Sequence, residues 1–136
     1  MTSVFLDTNV LLRHVLADNV DQSPRATAYF ERIARGEQSV RISDTVVFET
    51  VFTLEKRYRL PRRDIVRVVW PLLTLTGVIL PGKHHYRVVF DLYVDRPSLS
   101  FADCYHAMLM KRLRLTEIVS FDRGFDRVLG ISRTEP

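Results

Sequence analysis

Short β-prone stretches, regularly spaced, set the strongest limit on how this chain can fold. They fall at about residues 3–6, 39–42, 77–80 and 116–120, with a fifth β-prone stretch at the C-terminal end. Each has the length of a strand and is too short for a buried helix. The intervening segments are long enough for helices and carry helix signals. The first helix is expected at 9–17. Ser23 reads as the N-cap of the second, with Pro24 at its first position, Arg35 near its end and Gly36 as its stop. Ser43-Asp44-Thr45 offers caps for a long helix through Tyr58, and Pro61 opens another that Pro71 interrupts or kinks. Further helices are predicted at 83–95, 101–113 and, briefly, 124–129. Strands alternating with helices indicate an α/β fold built on a mainly parallel central sheet of four to five strands.

The 136 residues, with no linker or repeat, read as a single domain over 1–136. The longest apolar stretch, 68–80, is shorter than the roughly 20 residues of a membrane span and is broken by Pro71 and Gly77. Asp7 interrupts the N-terminal apolar run too early for a signal peptide, and a single cysteine, Cys104, fits a reducing cytoplasm. The net charge is +4, and the basic residues are seventeen arginines against three lysines. Guanidinium forks match phosphate oxygens in pairs, so this bias suits a nucleic-acid partner without requiring one.

Four acids are poorly explained by local structure. In open parallel sheets, ligand sites lie beyond the carboxyl ends of the strands. Asp7 ends the first predicted strand and Asp122 follows the fourth. Glu49 lies in Val46-Val47-Phe48-Glu49-Thr50-Val51-Phe52, apolar on nearly every side, with no Lys or Arg three or four residues away. It is either a near-buried carboxylate, which must be paired or bind a cation, or a glutamate on the solvent edge of a wide apolar face. Asp103 has a local reading as well. Ser100-Phe101-Ala102-Asp103 matches a capping box. A residue at a helix N-terminus can nonetheless cap the helix and face the rim of a sheet. Gathered at one edge, these acids would form an oxygen-only cage for Mg²⁺ or Mn²⁺. Such a cage is what metal-assisted phosphodiester hydrolysis requires.

Asp7-Thr8-Asn9 after a first strand, Glu49 in the third helix, Phe101-Ala102-Asp103-Cys104, and Ser120-Phe121-Asp122 after the fourth strand together resemble the PIN domain, in order, spacing and length. The compact size and the run from Ser120 to Asp126 are most similar to the VapC-type toxins of bacterial toxin–antitoxin pairs. The resemblance implies a PIN-like three-layer sandwich and an Mg²⁺- or Mn²⁺-dependent endoribonuclease. Asp7 and Asp103 would be direct metal ligands. Glu49 would bind through water or orient the nucleophile, and Asp122 would support a ligand or a second metal. Thr8, Asn9 and Ser120 would hydrogen-bond the carboxylates. Asp126, four residues after Asp122, is the substitute for the fourth position. The partners implied are RNA, a small VapB-type antitoxin and a second copy of the chain, in the cytoplasm.

Setting four acids aside for a metal leaves twenty positive against twelve negative groups, or +8 around an acidic centre. Arg13, Arg62, Arg63, Arg67 and Arg123 are candidate RNA contacts. His84 and His85 read as loop residues, His106 as a helix packing residue, and Cys104 as a small buried side chain. Trp70, Phe48, Phe52 and Phe90 read as core aromatics. Asp7-Thr8-Asn9 is also similar to the opening of haloacid-dehalogenase-type phosphatases, but Asn9 stands where their second carboxylate would be. Two further alternatives remain: a PIN nuclease of RNA processing without an antitoxin, and a non-catalytic RNA-binding module.

Overall fold

All the strands expected from the sequence form, and every pairing between them is parallel. The computed structural model describes residues 4–136, so Ser3 of the first expected strand lies outside the described residues. The chain divides into two units, one ending at His84 and the other running His85–Pro136.

The first unit holds β1 (Val4–Phe5), β2 (Val40–Arg41) and β3 (Val78–Ile79), ordered β1-β2-β3 with Val4 opposite Val40 and Val40 opposite Val78. Its helices are α1 (Thr8–Leu16), α2 (Gln22–Ala34), α3 (Asp44–Phe52) and α4 (Arg62–Leu73). The second unit holds α5 (Tyr86–Asp95), α6 (Phe101–Arg112), β4 (Glu117–Val119) and β5 (Ser132–Thr134), with β4 and β5 forming their own parallel pair. The five strands are therefore three in one sheet and two in another, a correction to the expected single sheet of four to five. Strands of two or three residues offer few ladder bonds with which to extend a sheet.

In the first unit α1 packs on both α2 and α3. Leu11, Leu12, Phe30, Ile33, Val47 and Val51 are buried in those helices. His14 stacks on Phe30 with ring centres 4.8 Å apart, and its Nδ1 is 2.8 Å from Thr27 Oγ1. Burial lowers its pKa, with Glu31 opposing. The expected cap at Ser23 is corrected: α2 starts at Gln22, two residues before the expected first position, and Asn19 Oδ1 accepts from the backbone N–H groups of Asp21 and Gln22 at 3.1 and 2.7 Å. Ser23 Oγ instead accepts from Asn19 N. This Asx-type turn gives the helix start its acceptors from before the helix. The stop at Gly36 forms as expected. Its φ is 78°, Gly36 N donates to Ile33 O, and Glu37 N donates to Arg32 O at 2.9 Å, the double bond of a Schellman motif.

Ser43 caps α3 by accepting from Val46 N, and the helix continues as a π-helical turn over Thr53–Arg57. Pro71 lies in the last turn of α4, which runs on to Leu73, so its missing N–H removes a single late bond rather than ending the helix. Lys83 donates its ammonium to Leu75 O and Val78 O at 2.8 and 2.7 Å, tying down the entry to β3, and burial lowers its pKa.

The second unit is centred on aromatic rings. Tyr93 meets Phe101 edge-on at 5.3 Å, and Phe90 tilts against Phe101 at 5.5 Å, joining α5 to α6. Cys104 is buried, as expected. The core assignments need four corrections: Phe52 is 66% exposed, Phe48 and Trp70 are only half-buried, and His106 is exposed. Phe52 and Glu49 lie three residues apart, both on the side of α3 away from buried Val47, Thr50 and Val51.

Candidate active site

Asp7 follows β1 by two residues and is the N-cap of α1, with φ −80° and ψ 151°. An aspartate at this position ordinarily spends its carboxylate on the first free N–H groups of the helix. Here it does not. The side chain makes no cap bond, and Val10 N donates to the backbone carbonyl of Asp7 instead. Among the described residues Asp7 has no ion pair or side-chain hydrogen bond, and its carboxylate is exposed. Thr8 is buried and Asn9 is exposed beside it.

Glu49 is exposed on α3, the helix that packs on α1. The near-buried alternative is therefore corrected: this glutamate stands at the solvent edge of an apolar helix. It too has no ion-pair or hydrogen-bond partner among the described residues. Its value as a site residue thus rests on its unspent charge, not on the energetic cost of burial.

In the second unit the capping box forms as expected. Asp103 N donates to Ser100 Oγ at 3.1 Å, and Ser100 N donates to Asp103 Oδ2 at a long 3.4 Å. Oδ1 takes no part in the box. Asp122 begins a 3-10 turn over Arg123–Arg127, which replaces the expected helix at 124–129. Its backbone N–H donates to Ser120 Oγ at 3.0 Å, and its Oδ1 accepts from Gly124 N at 2.8 Å, leaving Oδ2 available. A Cβ on Gly124 would lie 2.9 Å from Leu99 Cδ2 and 3.3 Å from Ser98 O. The missing side chain thus lets the Asp122 turn press against the segment leading into Ser100 and Asp103.

Asp126 is differently placed. Arg133 grips it with Nε on Oδ1 at 2.9 Å and Nη2 on Oδ2 at 3.3 Å, which holds its carboxyl below the usual range. Both its oxygens are engaged. Asp122 has one uncommitted and no cation paired to it among the described residues.

The arginines separate in the same way. Arg13 donates Nε to Gln22 Oε1 at 3.0 Å and pairs with Asp18 at 3.3 Å. Arg62 pairs with Glu55, and Arg67 with Asp64. Arg63 and Arg123 are exposed. Arg13 lines a groove together with Asp7. That groove, of about 630 Å³, is bordered by Phe5, Leu6, Asp7, Asn9, Val10, Arg13, Gln22, Arg25, Ala26 and Tyr29. Sequence reading missed its α2 wall, although Gln22, Arg25, Ala26 and Tyr29 recur at helical spacing and so share one face.

Among the described residues no three His, Cys, Asp or Glu side chains gather as a metal-binding group. The donor chemistry nevertheless suits a hard cation. All four acids offer oxygen only, and each retains at least one oxygen not taken by a cap or a cation.

The PIN domain family model matches residues 4–130, which include all four acids. The chain is also 30% identical over 131 residues to the VapC ribonuclease of Aquifex aeolicus (strain VF5), covering 96% of this chain and 95% of that protein. No helix among the described residues is long and apolar enough to cross a membrane.

Proposed function

The chain belongs to the PIN-domain family, and from that premise we propose that it is a metal-dependent endoribonuclease, the toxin of a type II toxin–antitoxin pair. The observation that carries the reading is the idle carboxylate of Asp7. It sits at the end of a parallel strand and at a helix N-cap, yet it neither caps nor pairs. An exposed carboxylate left uncommitted by cap and ion pair is free to take a hard cation. The relative named a VapC ribonuclease supports RNA as the substrate. A small VapB-type antitoxin, a homodimer and a cytoplasmic setting belong to the same reading.

Asp7, Glu49, Asp103 and Asp122 would hold Mg²⁺ or Mn²⁺, with Asp7 and Asp103 the direct ligands. Bound there, the ion would supply Lewis-acid polarisation of the phosphoryl group and a lowered pKa for the attacking water. The chain's own residues do the rest. Glu49, exposed and unpaired among the described residues, would orient a water and accept its proton. Ser120 fixes the turn that presents Asp122, and the Ser100 cap fixes the N-terminus that presents Asp103. Asp122 holds the fourth position in preference to Asp126, because Arg133 already neutralises Asp126.

Cleavage of a labelled RNA pool in Mg²⁺ or Mn²⁺, with EDTA and with Asp7→Asn, tests the proposal. Asparagine keeps the shape of aspartate and its capping ability. Since outer-shell partners alone cost 10–100-fold, loss of a direct ligand should lower cleavage by more than about 100-fold. Equal cleavage by Asp7→Asn would remove Asp7 from the site. No cleavage by folded, metal-supplied wild type would end the nuclease reading.

A further inference from the structure

Phe5 is 64% exposed although it belongs to β1, two residues before Asp7. A phenyl ring left in water forgoes the gain that burial would give it. It lines the groove together with Tyr29, Asn9, Arg13, Arg25 and Asp7. The Arg32 guanidinium carbon stands 5.6 Å from the centre of the Tyr29 ring. Arg13 is steadied by Gln22 and Asp18 at two of its nitrogens. A guanidinium has five N–H donors, so some remain for an incoming oxygen. Arg25 meets Asp21 at 3.4 Å with both side chains largely exposed, a contact of little strength.

Aromatic faces set among cations are the means by which proteins hold unpaired nucleotides: bases stack on the rings and the positive groove follows the phosphates. A duplex hides its base faces, so such a groove selects single-stranded RNA. We propose that this groove seats an unpaired base of the RNA beside the bond to be cut, stacked on Phe5 with Tyr29 in the wall, while Arg13 and Arg25 meet the neighbouring phosphates. The proposal rests on the nuclease reading above. The position of Asp7 in the same groove ties the base seat to the scission point.

The test is fluorescence-anisotropy binding in EDTA, where the RNA stays whole. One probe is a short mixed-sequence oligoribonucleotide; the other is an abasic ribose-phosphate chain of the same length. Wild type should prefer the base-bearing chain. Phe5→Ala should weaken binding of that chain by about 5- to 100-fold and leave the abasic chain almost unchanged. Phe5→Tyr should restore the preference, and Arg13→Gln should weaken both probes alike. Because the ring is mostly exposed, Phe5→Ala is expected to stay folded, checked by circular dichroism. Equal affinity of wild type for the two probes, or no binding of either, overturns the base seat. So does a Phe5→Ala protein that binds RNA normally and has lost only its hold on an antitoxin, since the groove then serves a protein. Metal-dependent cleavage by wild type alongside any of these results would leave the nuclease reading standing without the base seat.

Discussion

Asp103 performs two jobs that mutation can separate. In the capping box the strong bond is Asp103 N to Ser100 Oγ at 3.1 Å; the return bond, Ser100 N to Asp103 Oδ2, is 3.4 Å and near the limit for a hydrogen bond. Ser100→Ala removes the strong bond and should cost about 1 kcal/mol. For a chain of this length that is a fall of roughly 4 °C in Tm. Asp103→Asn keeps the backbone N–H that makes the strong bond and an amide oxygen for the weak one. It gives up only the favourable charge at the helix N-terminus, about 0.3–1 kcal/mol. Stability should therefore fall more in Ser100→Ala, whereas RNA cleavage should vanish in Asp103→Asn and be lowered but retained in Ser100→Ala, where Asp103 keeps its carboxylate and loses only the cap that holds it. The assays are a thermal melt by circular dichroism and metal-dependent cleavage of labelled RNA, both below the lower Tm. If Asp103→Asn cleaves like wild type, Asp103 is only a cap. If the two variants lose activity in proportion to lost stability, the site role has no support.

Three further outcomes follow from contacts elsewhere in the chain. Asp122→Asn should abolish cleavage while Asp126→Asn retains it, because Arg133 already occupies both oxygens of Asp126; the opposite pattern in the same RNA assay would exchange the two residues. Burial lowers the pKa of His14 from 6.5, so the unfolded chain binds the proton more readily. The stabilisation from keeping it neutral is complete above pH 6.5 and is lost as pH falls through the lower folded value; melts at pH 5 and 7.5 should show a larger acid loss in wild type than in His14→Gln. Gly77→Ala would put a Cβ 2.8 Å from Ile33 Cγ2 and 2.9 Å from Gln38 O, and should cost about 1–3 kcal/mol by urea denaturation.

The elements were legible because each carries its own local signal. β-prone stretches of strand length, the Ser100 capping box and the Gly36 stop need no knowledge of the rest of the chain, and all three form. Errors occurred where a residue offered two equivalent local bonds or where solvent exposure depended on packing. Ser23 is a fair N-cap by type, but Asn19 lies close enough for its Oδ1 to accept from both N–H groups, and an Asx turn outcompeted it. Phe52 reads as core from its neighbours, yet α3 turns it outward with Glu49. Nothing in a window of apolar residues says which side the rest of the chain will cover.

The same division runs through the site. A carboxylate is legible when local structure fails to employ it, and Asp7 remains unemployed even at an N-cap position that normally engages one. Asp122 and Asp126 could not be told apart by spacing, because their difference is made by Arg133 on β5, from which nothing in the 122–126 segment can be read. The groove wall was hidden for the opposite reason. Gln22, Arg25 and Tyr29 look like any polar face of an amphipathic helix, and only the packing of α1 on α2 turns that face toward Asp7. The charge that would do the chemistry is thus announced by what it lacks nearby, and the surface that would choose the substrate is made by tertiary contact.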